Sequence, residues 1–169
     1  STEVPSAEPA ATPGRGEQDL VIRVKGADDL LVYRAKCCNP IRGETIVGYV
    51  TRGKGVAVHS VKCANVQNLL YEPERKIEVE WARSASETFL VKILVYTEDR
   101  PGILNQLTSV LFHEQTNIRI LEARSDEQRG IDGAVIDITM EVRDKKQLER
   151  IVSALRRISG VRDIERVNP

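Results

Sequence analysis

Residues 89–124 read FLVKILVYTEDRPGILNQLTSVLFHEQTNIRILEAR, and this stretch decides the fold. Phe89, Val91, Ile93 and Val95 recur at every second position, the period of a strand with one buried face. Asp99-Arg100-Pro101-Gly102 then opens a helix, with Asp99 read as its cap and Pro101 tolerated in the first turn. Ile103, Leu104, Leu107, Val110 and Leu111 fall at helical spacing and make one apolar stripe. Asn117 to Arg124 reads as a second strand.

The pattern continues toward the C-terminus. Ala134, Ile136, Ile138, Met140 and Val142 form the longest strict alternation in the chain, after a turn flanked by Gly130 and Gly133. Lys145 to Ser159 is read as an amphipathic helix burying Leu148, Ile151, Val152, Leu155 and Ile158. Gly160 is placed at its C′ position, and Val161 to Val167 as a last strand. The order β-α-β-β-α-β with right-handed crossovers puts both helices on one face of a four-stranded antiparallel sheet, the ferredoxin-like arrangement. Such a fold carries many functions and names none.

Upstream the elements are shorter. Ile46–Val50 and Val56–His59 read as a hairpin around Thr51-Arg52-Gly53-Lys54-Gly55, Cys63 to Leu70 as two helical turns, and Lys76 to Trp81 as one alternating strand. Residues 1–18, rich in Pro, Ala, Ser, Gly and Glu, read as a disordered linker. The division expected is therefore a linker at 1–18, a small α+β module at 19–83 and the ferredoxin-like unit at 88–169. The 169 residues suit two small domains, and no apolar run reaches the length of about 20 residues that spans a bilayer. With no secretion signal and three cysteines, a cytoplasmic protein is expected. Because Ser1 opens the chain, the sequence is expected to be a piece of a longer one.

Cys37, Cys38, His59 and Cys63 place four soft or borderline donors within one short span. Zinc takes such donors in a tetrahedron, and the hairpin would return His59 beside the cysteine pair. A module this small also gains from a metal staple. The vicinal pair departs from the usual C-x2-C knuckle, so buried reduced thiols are the competing reading. A catalytic zinc lacks an H-E-x-x-H partner, and nothing flanks the cysteines as in a Cys–His nucleophile.

Two further features bear on ligands. Gly102 lets a ligand approach the first turn of a helix, whose amides attract a carboxylate, and Asn117 would meet that loop only across a sheet-edge dimer. The 25 basic and 25 acidic residues cancel, which excludes binding to nucleic acid by bulk charge. Locally the balance differs. Residues 30–62 hold Arg34, Lys36, Arg42, Arg52, Lys54 and Lys62 against Glu44 alone. That excess reads either as a solvated hairpin or as a phosphate-contacting loop, with Tyr33 and Tyr49 offered for base stacking.

AKCCNPIRGETIVGYVTRGKGVAVHSVKC, residues 35–63, closely resembles the zinc-finger (RIS) domain of long Rel/SpoT stringent-response proteins. EDRPGILNQLTSVLFHEQTNI, residues 98–118, resembles the first half of the ACT domain that ends those proteins. The resemblance implies an α+β chain with a zinc-finger-like module followed by an ACT domain. It would be the non-catalytic regulatory region of a bifunctional (p)ppGpp synthetase and hydrolase whose catalytic domains lie upstream. It implies structural Zn2+ on Cys37, Cys38, His59 and Cys63. It also implies docking on a ribosome with uncharged tRNA in the A site, for which Arg52 and Lys54 are the loop contacts. For the ACT domain it implies a branched-chain amino-acid site at Asp99, Arg100, Pro101, Gly102, Ile103, Leu104 and Asn117, and a homodimer. The alternative reading is a docking and dimerisation module that binds no metabolite; a zinc-dependent enzyme fragment is a third.

Overall fold

The alternation at Phe89–Val95 forms the first strand of a sheet that organises the C-terminal half. The computed structural model describes residues 22–25, 30–53, 55–69, 72–82, 87–126, 128 and 133–169. The linker reading of residues 1–18, Lys54, Gly130 and most of the polar connection at 82–87 lie outside them.

The C-terminal unit comprises β7 (Phe89–Glu98), α2 (Ile103–His113), β8 (Asn117–Ser125), β9 (Gly133–Val142), α3 (Lys145–Arg156) and β10 (Val161–Val167). Its sheet order is β10-β7-β9-β8, antiparallel throughout, as the β-α-β-β-α-β reading requires. Alternate residues of β7 and β9 meet α2 and α3 in one core with Ile93, Ile138, Met140, Leu107, Leu111, Ile151 and Leu155 fully buried. Asp144 caps α3, its Oδ1 accepting from Gln147 N at 2.8 Å. Gln147 is itself buried. It accepts from Arg143 N at 2.7 Å and donates to Glu114 O at 3.1 Å and Thr116 Oγ1 at 3.3 Å, pinning α3 to the end of α2.

Two end-of-helix expectations are corrected. The N-cap of α2 is Gly102 at φ +84, not Asp99, because Pro101 and the left-handed Gly102 carry the chain one turn further before the helix begins. Helix α3 stops at Arg156, so Gly160 is not its C′ residue. Its φ of +98 serves instead the turn into β10, where Val161 N donates to Ile158 O at 3.1 Å.

The N-terminal unit contains β1 (Ile22–Val24), β2 (Val32–Arg34), β3 (Ile46–Thr51), β4 (Gly55–Ser60), α1 (Ala64–Leu69), a 3-10 turn at Pro73–Arg75, β5 (Lys76–Ile77) and β6 (Val79–Trp81). The β3–β4 hairpin forms as read, and β2 adds to β4 in parallel, giving a β2-β4-β3-β5 sheet. Lys76 to Trp81 is not one strand. Lys76 and Ile77 pair with Tyr49 and Gly48, whereas Val79 to Trp81 pair with β1, so the chain changes sheets at Glu78.

A six-residue turn, Asn39 to Glu44, joins the two units. Ile41 in this turn is 0% exposed and belongs to the core built on β7 and β9. Among the described residues no helix is long and apolar enough to cross a membrane.

Candidate metal centre and ligand loop

Parallel pairing of β2 with β4 brings the start of the cysteine turn beside the strand that carries His59. Ala35 N donates to Val58 O at 2.8 Å, and Asn39 N closes the turn on Ala35 O at 2.9 Å, with Asn39 at φ +42. This tight turn brings both vicinal sulfurs to the His59 ring, with Cys37 still exposed and Cys38 half-buried. Cys63 follows β4 and precedes α1, held by its N–H on Ser60 O at 3.0 Å. Val47, Tyr49, Val66 and Cys63 form a small core beneath the cluster, with the Tyr49 and His59 rings 6.1 Å apart, edge to face.

The four donor atoms of Cys37, Cys38, His59 and Cys63 lie within 4.8 Å of one another. Cys37 Sγ is 3.4 Å from His59 Nδ1 and 3.6 Å from Cys63 Sγ, and Cys38 Sγ is 3.9 Å from His59 Nδ1. A tetrahedral zinc with the usual bond lengths separates two sulfurs by about 3.8 Å and sulfur from nitrogen by about 3.5 Å. The donor set therefore fits a closed Cys3His site, and a metal ion could be held there. The sulfurs are too far apart for a disulfide, and all three cysteines are free.

Protonation follows from burial and crowding. Burial pushes the Cys38 thiol up to about 12, only partly offset by the Ser60 amide, and the neighbouring Cys37 and Cys63 sulfurs raise it further. For Cys63 burial also works upward, but the Asn65 amide, the Cys37 and Cys38 thiols and the Val66 amide outweigh it and lower its pKa. Burial keeps His59 neutral, leaving an imidazole nitrogen free to accept. Thiols must give up their protons to serve as metal ligands, so uptake of a divalent ion at this cluster would release protons and depend on pH.

The loop at the start of α2 is partly engaged already. Arg100 donates to Gln106 Oε1 at 2.6 Å and to Ser159 O at 2.8 Å, bracing α2 against the end of α3. Asp99 Oδ2 sits 3.5 Å from Ser125 Oγ, across to β8. Ile103 is buried and Leu104 partly exposed. A side chain placed on Gly102 would meet nothing within 4 Å, so the space over Pro101-Gly102 is open. Asn117 is not part of this group. It lies beyond the far end of the 11-residue α2, about 16 Å along the axis, and its Nδ2 is 3.4 Å from Glu141 Oε2.

Arg52 stands exposed at the tip of the β3–β4 hairpin beside Gly53 at φ +72, while Lys54 is outside the described residues. The stacking pair suggested for this region is not there. Tyr49 is 2% exposed in the small core, and the hydroxyl of the half-buried Tyr33 lies 3.4 Å from Thr51 Oγ1.

Residues 22–82 match the family described as RelA/SpoT RIS domain, and residues 85–166 match the ACT domain family. The chain belongs to the RelA/SpoT family. This RelA/SpoT region is 41% identical over 172 residues to a GTP pyrophosphokinase of Streptomyces antibioticus, covering 100% of this chain and 20% of the relative. It is 40% identical over 161 residues to the bifunctional (p)ppGpp synthase/hydrolase RelA of Mycobacterium tuberculosis, covering 94% of this chain and 21% of the relative. The chain thus spans about a fifth of the length of these curated relatives. A crystal structure of the ACT domain from the GTP pyrophosphokinase of Chlorobium tepidum aligns with 48% of this chain and 100% of its own, at 27% identity and a TM-score of 0.42.

Sequence reasoning missed the residues that fasten the RIS domain to the ACT domain: Asn39, Ile41, Arg42, Gly43, Glu44, Arg166 and Asn168. The available signal was slight, a single isoleucine between Pro40 and Arg42 followed by Gly43.

Proposed function

We propose that this RIS–ACT pair is the regulatory region of a (p)ppGpp synthetase and hydrolase, reporting ribosome and tRNA status and amino-acid supply to catalytic domains elsewhere in the parent chain. The observation that carries the reading is the pairing of two matched domains, packed on each other, that together make up about a fifth of relatives named for ppGpp metabolism. In this reading Cys37, Cys38, His59 and Cys63 hold a structural Zn2+, which supplies a fixed cross-link between the cysteine turn, β4 and α1. Arg52, exposed at the hairpin tip, and Lys54, two residues on in the sequence, contact ribosomal or tRNA phosphates. A branched-chain amino acid occupies the open space over Pro101-Gly102, its carboxylate on the first amides of α2, flanked by Asp99, Arg100, Ile103 and Leu104. Asn117 of a second copy completes the site across a homodimer. The exposed β8 edge supports that dimer: Ile120 is 53% and Leu121 37% exposed, and Phe112 on neighbouring α2 is 78% exposed.

A second reading drops the metabolite and keeps docking and dimerisation. The inward commitment of Arg100 to Gln106 and Ser159 favours it. Calorimetric titration with valine, leucine and isoleucine separates the two, since absence of heat at millimolar ligand removes the amino-acid sensor. Co-sedimentation with 70S ribosomes tests the docking loop: Arg52→Ala with Lys54→Ala should abolish binding, and unchanged binding would remove that loop from the interface.

A further inference from the structure

The turn that carries the vicinal cysteines continues without a break into the ACT domain. At its cysteine end, Asn168 Nδ2 donates to Cys37 O at 2.9 Å and Arg166 donates to Asn39 O at 2.8 Å. Arg166 lies in β10, the last strand of the ACT sheet, and Asn168 just beyond its end. Arg166 also pairs with Glu44 at 2.6 Å, and Asn39 Nδ2 donates to Leu90 O at 2.9 Å at the start of β7. Further along, Ile41 is 0% exposed in the ACT core, and Lys145 N at the start of α3 donates to Arg42 O at 2.7 Å. A Cβ on Gly43 would stand 3.1 Å from Lys145 Cβ, so the turn and α3 touch at closest backbone approach. On the opposite side, Ser60 N donates to Cys38 Sγ at 3.3 Å.

We infer that Cys37–Glu44 is one shared element, so that uptake of a soft divalent metal ion by the cysteine cluster and docking of the ACT domain are thermodynamically linked. Arg166 and Asn168 are positioning residues for the two vicinal cysteines. The inference rests on the metal-centre reading above and adds to it a role for residues outside the RIS domain. Two adjacent cysteines aim both sulfurs at one ion only if the turn between Ala35 and Asn39 is held in one shape. The ACT strand holds the carbonyls of Cys37 and Asn39, on either side of Cys38. Groups that orient ligands from outside commonly change metal affinity by about tenfold or more when removed. Linkage is reciprocal: if docking tightens metal binding, metal binding tightens docking by the same factor. A pull on the RIS domain, or loss of its ion, is thereby felt at Ile41 and the start of α3.

The test uses the full 169-residue chain with Co2+ as the probe, its thiolate charge-transfer band followed during competition with a chelator. Arg166→Ala combined with Asn168→Ala is expected to weaken cobalt binding about tenfold. Arg150→Ala, which breaks an exposed pair with Glu114 elsewhere on the ACT domain, should stay within about twofold. Hydrogen exchange at the Lys145 amide, which donates to Arg42 O, should accelerate when metal is removed. Wild type that binds cobalt, with a double variant of equal affinity and a Lys145 amide indifferent to metal, would overturn the linkage and leave the metal centre standing. Wild type that takes up no cobalt would overturn both.

Discussion

Replacing Ile41 by alanine tests whether the RIS turn is a structural part of the ACT core. The side chain is 0% exposed, so the three carbons removed come entirely from buried contact. At roughly 0.8 kcal/mol per methylene the transfer loss is about 2.4 kcal/mol, and the residual cavity raises the cost to about 3–4 kcal/mol. For a cooperative unit of this size that lowers Tm by about 10 °C. Trp81, the chain's only tryptophan, is a local reporter: its Nε1 donates to Glu44 O at 2.9 Å and its ring meets Phe89 edge to face at 5.7 Å. Thermal unfolding followed by far-ultraviolet circular dichroism and by Trp81 fluorescence should shift together in Ile41→Ala. Phe112→Ala, at a position 78% exposed, should change stability by less than about 0.5 kcal/mol. A loss below about 1 kcal/mol at Ile41 would refute the reasoning, because a turn that swings free in solution leaves no cavity behind.

Three other outcomes follow from the same structure. Gly43→Ala should cost about 1–3 kcal/mol by chemical denaturation, since φ is +96 and the added Cβ meets Lys145 Cβ at 3.1 Å. Asp144→Ala should cost about 1 kcal/mol in the same assay, as Gln147 N loses its cap, while Asp144→Asn should recover most of it. Cys63→Ser should abolish stoichiometric zinc uptake measured by elemental analysis and lower the Tm of the RIS domain, because metal-binding energy there is folding energy.

The ACT half was legible because its physics is local and periodic. Phe89 to Val95 buries one face of its strand, the apolar alternation of Ala134 to Val142 faces the same core from a strand buried almost throughout, and the stripes of α2 and α3 cover that core. The metal cluster was legible from chemistry, since few roles gather three thiols and an imidazole; how adjacent cysteines could converge was visible only once the Ala35–Asn39 turn was seen. Lys76–Trp81 misled because alternation reports a buried face without naming which sheet supplies the partner, and the strand divides between two. Tyr49 misled because a tyrosine suited to stacking a base is equally suited to filling a small core. Ile41 escaped notice because its burial is wholly tertiary. A lone isoleucine in a Pro- and Gly-bearing turn has no period, and only the ACT core, from Phe89 onward, gives it a partner.

The most direct test of the account is the mass of the folded chain by native mass spectrometry after purification without chelator. One zinc ion per chain is expected, lost on acidification or on Cys63→Ser substitution. A folded, metal-free chain with Cys37, Cys38 and Cys63 all open to alkylation would contradict it.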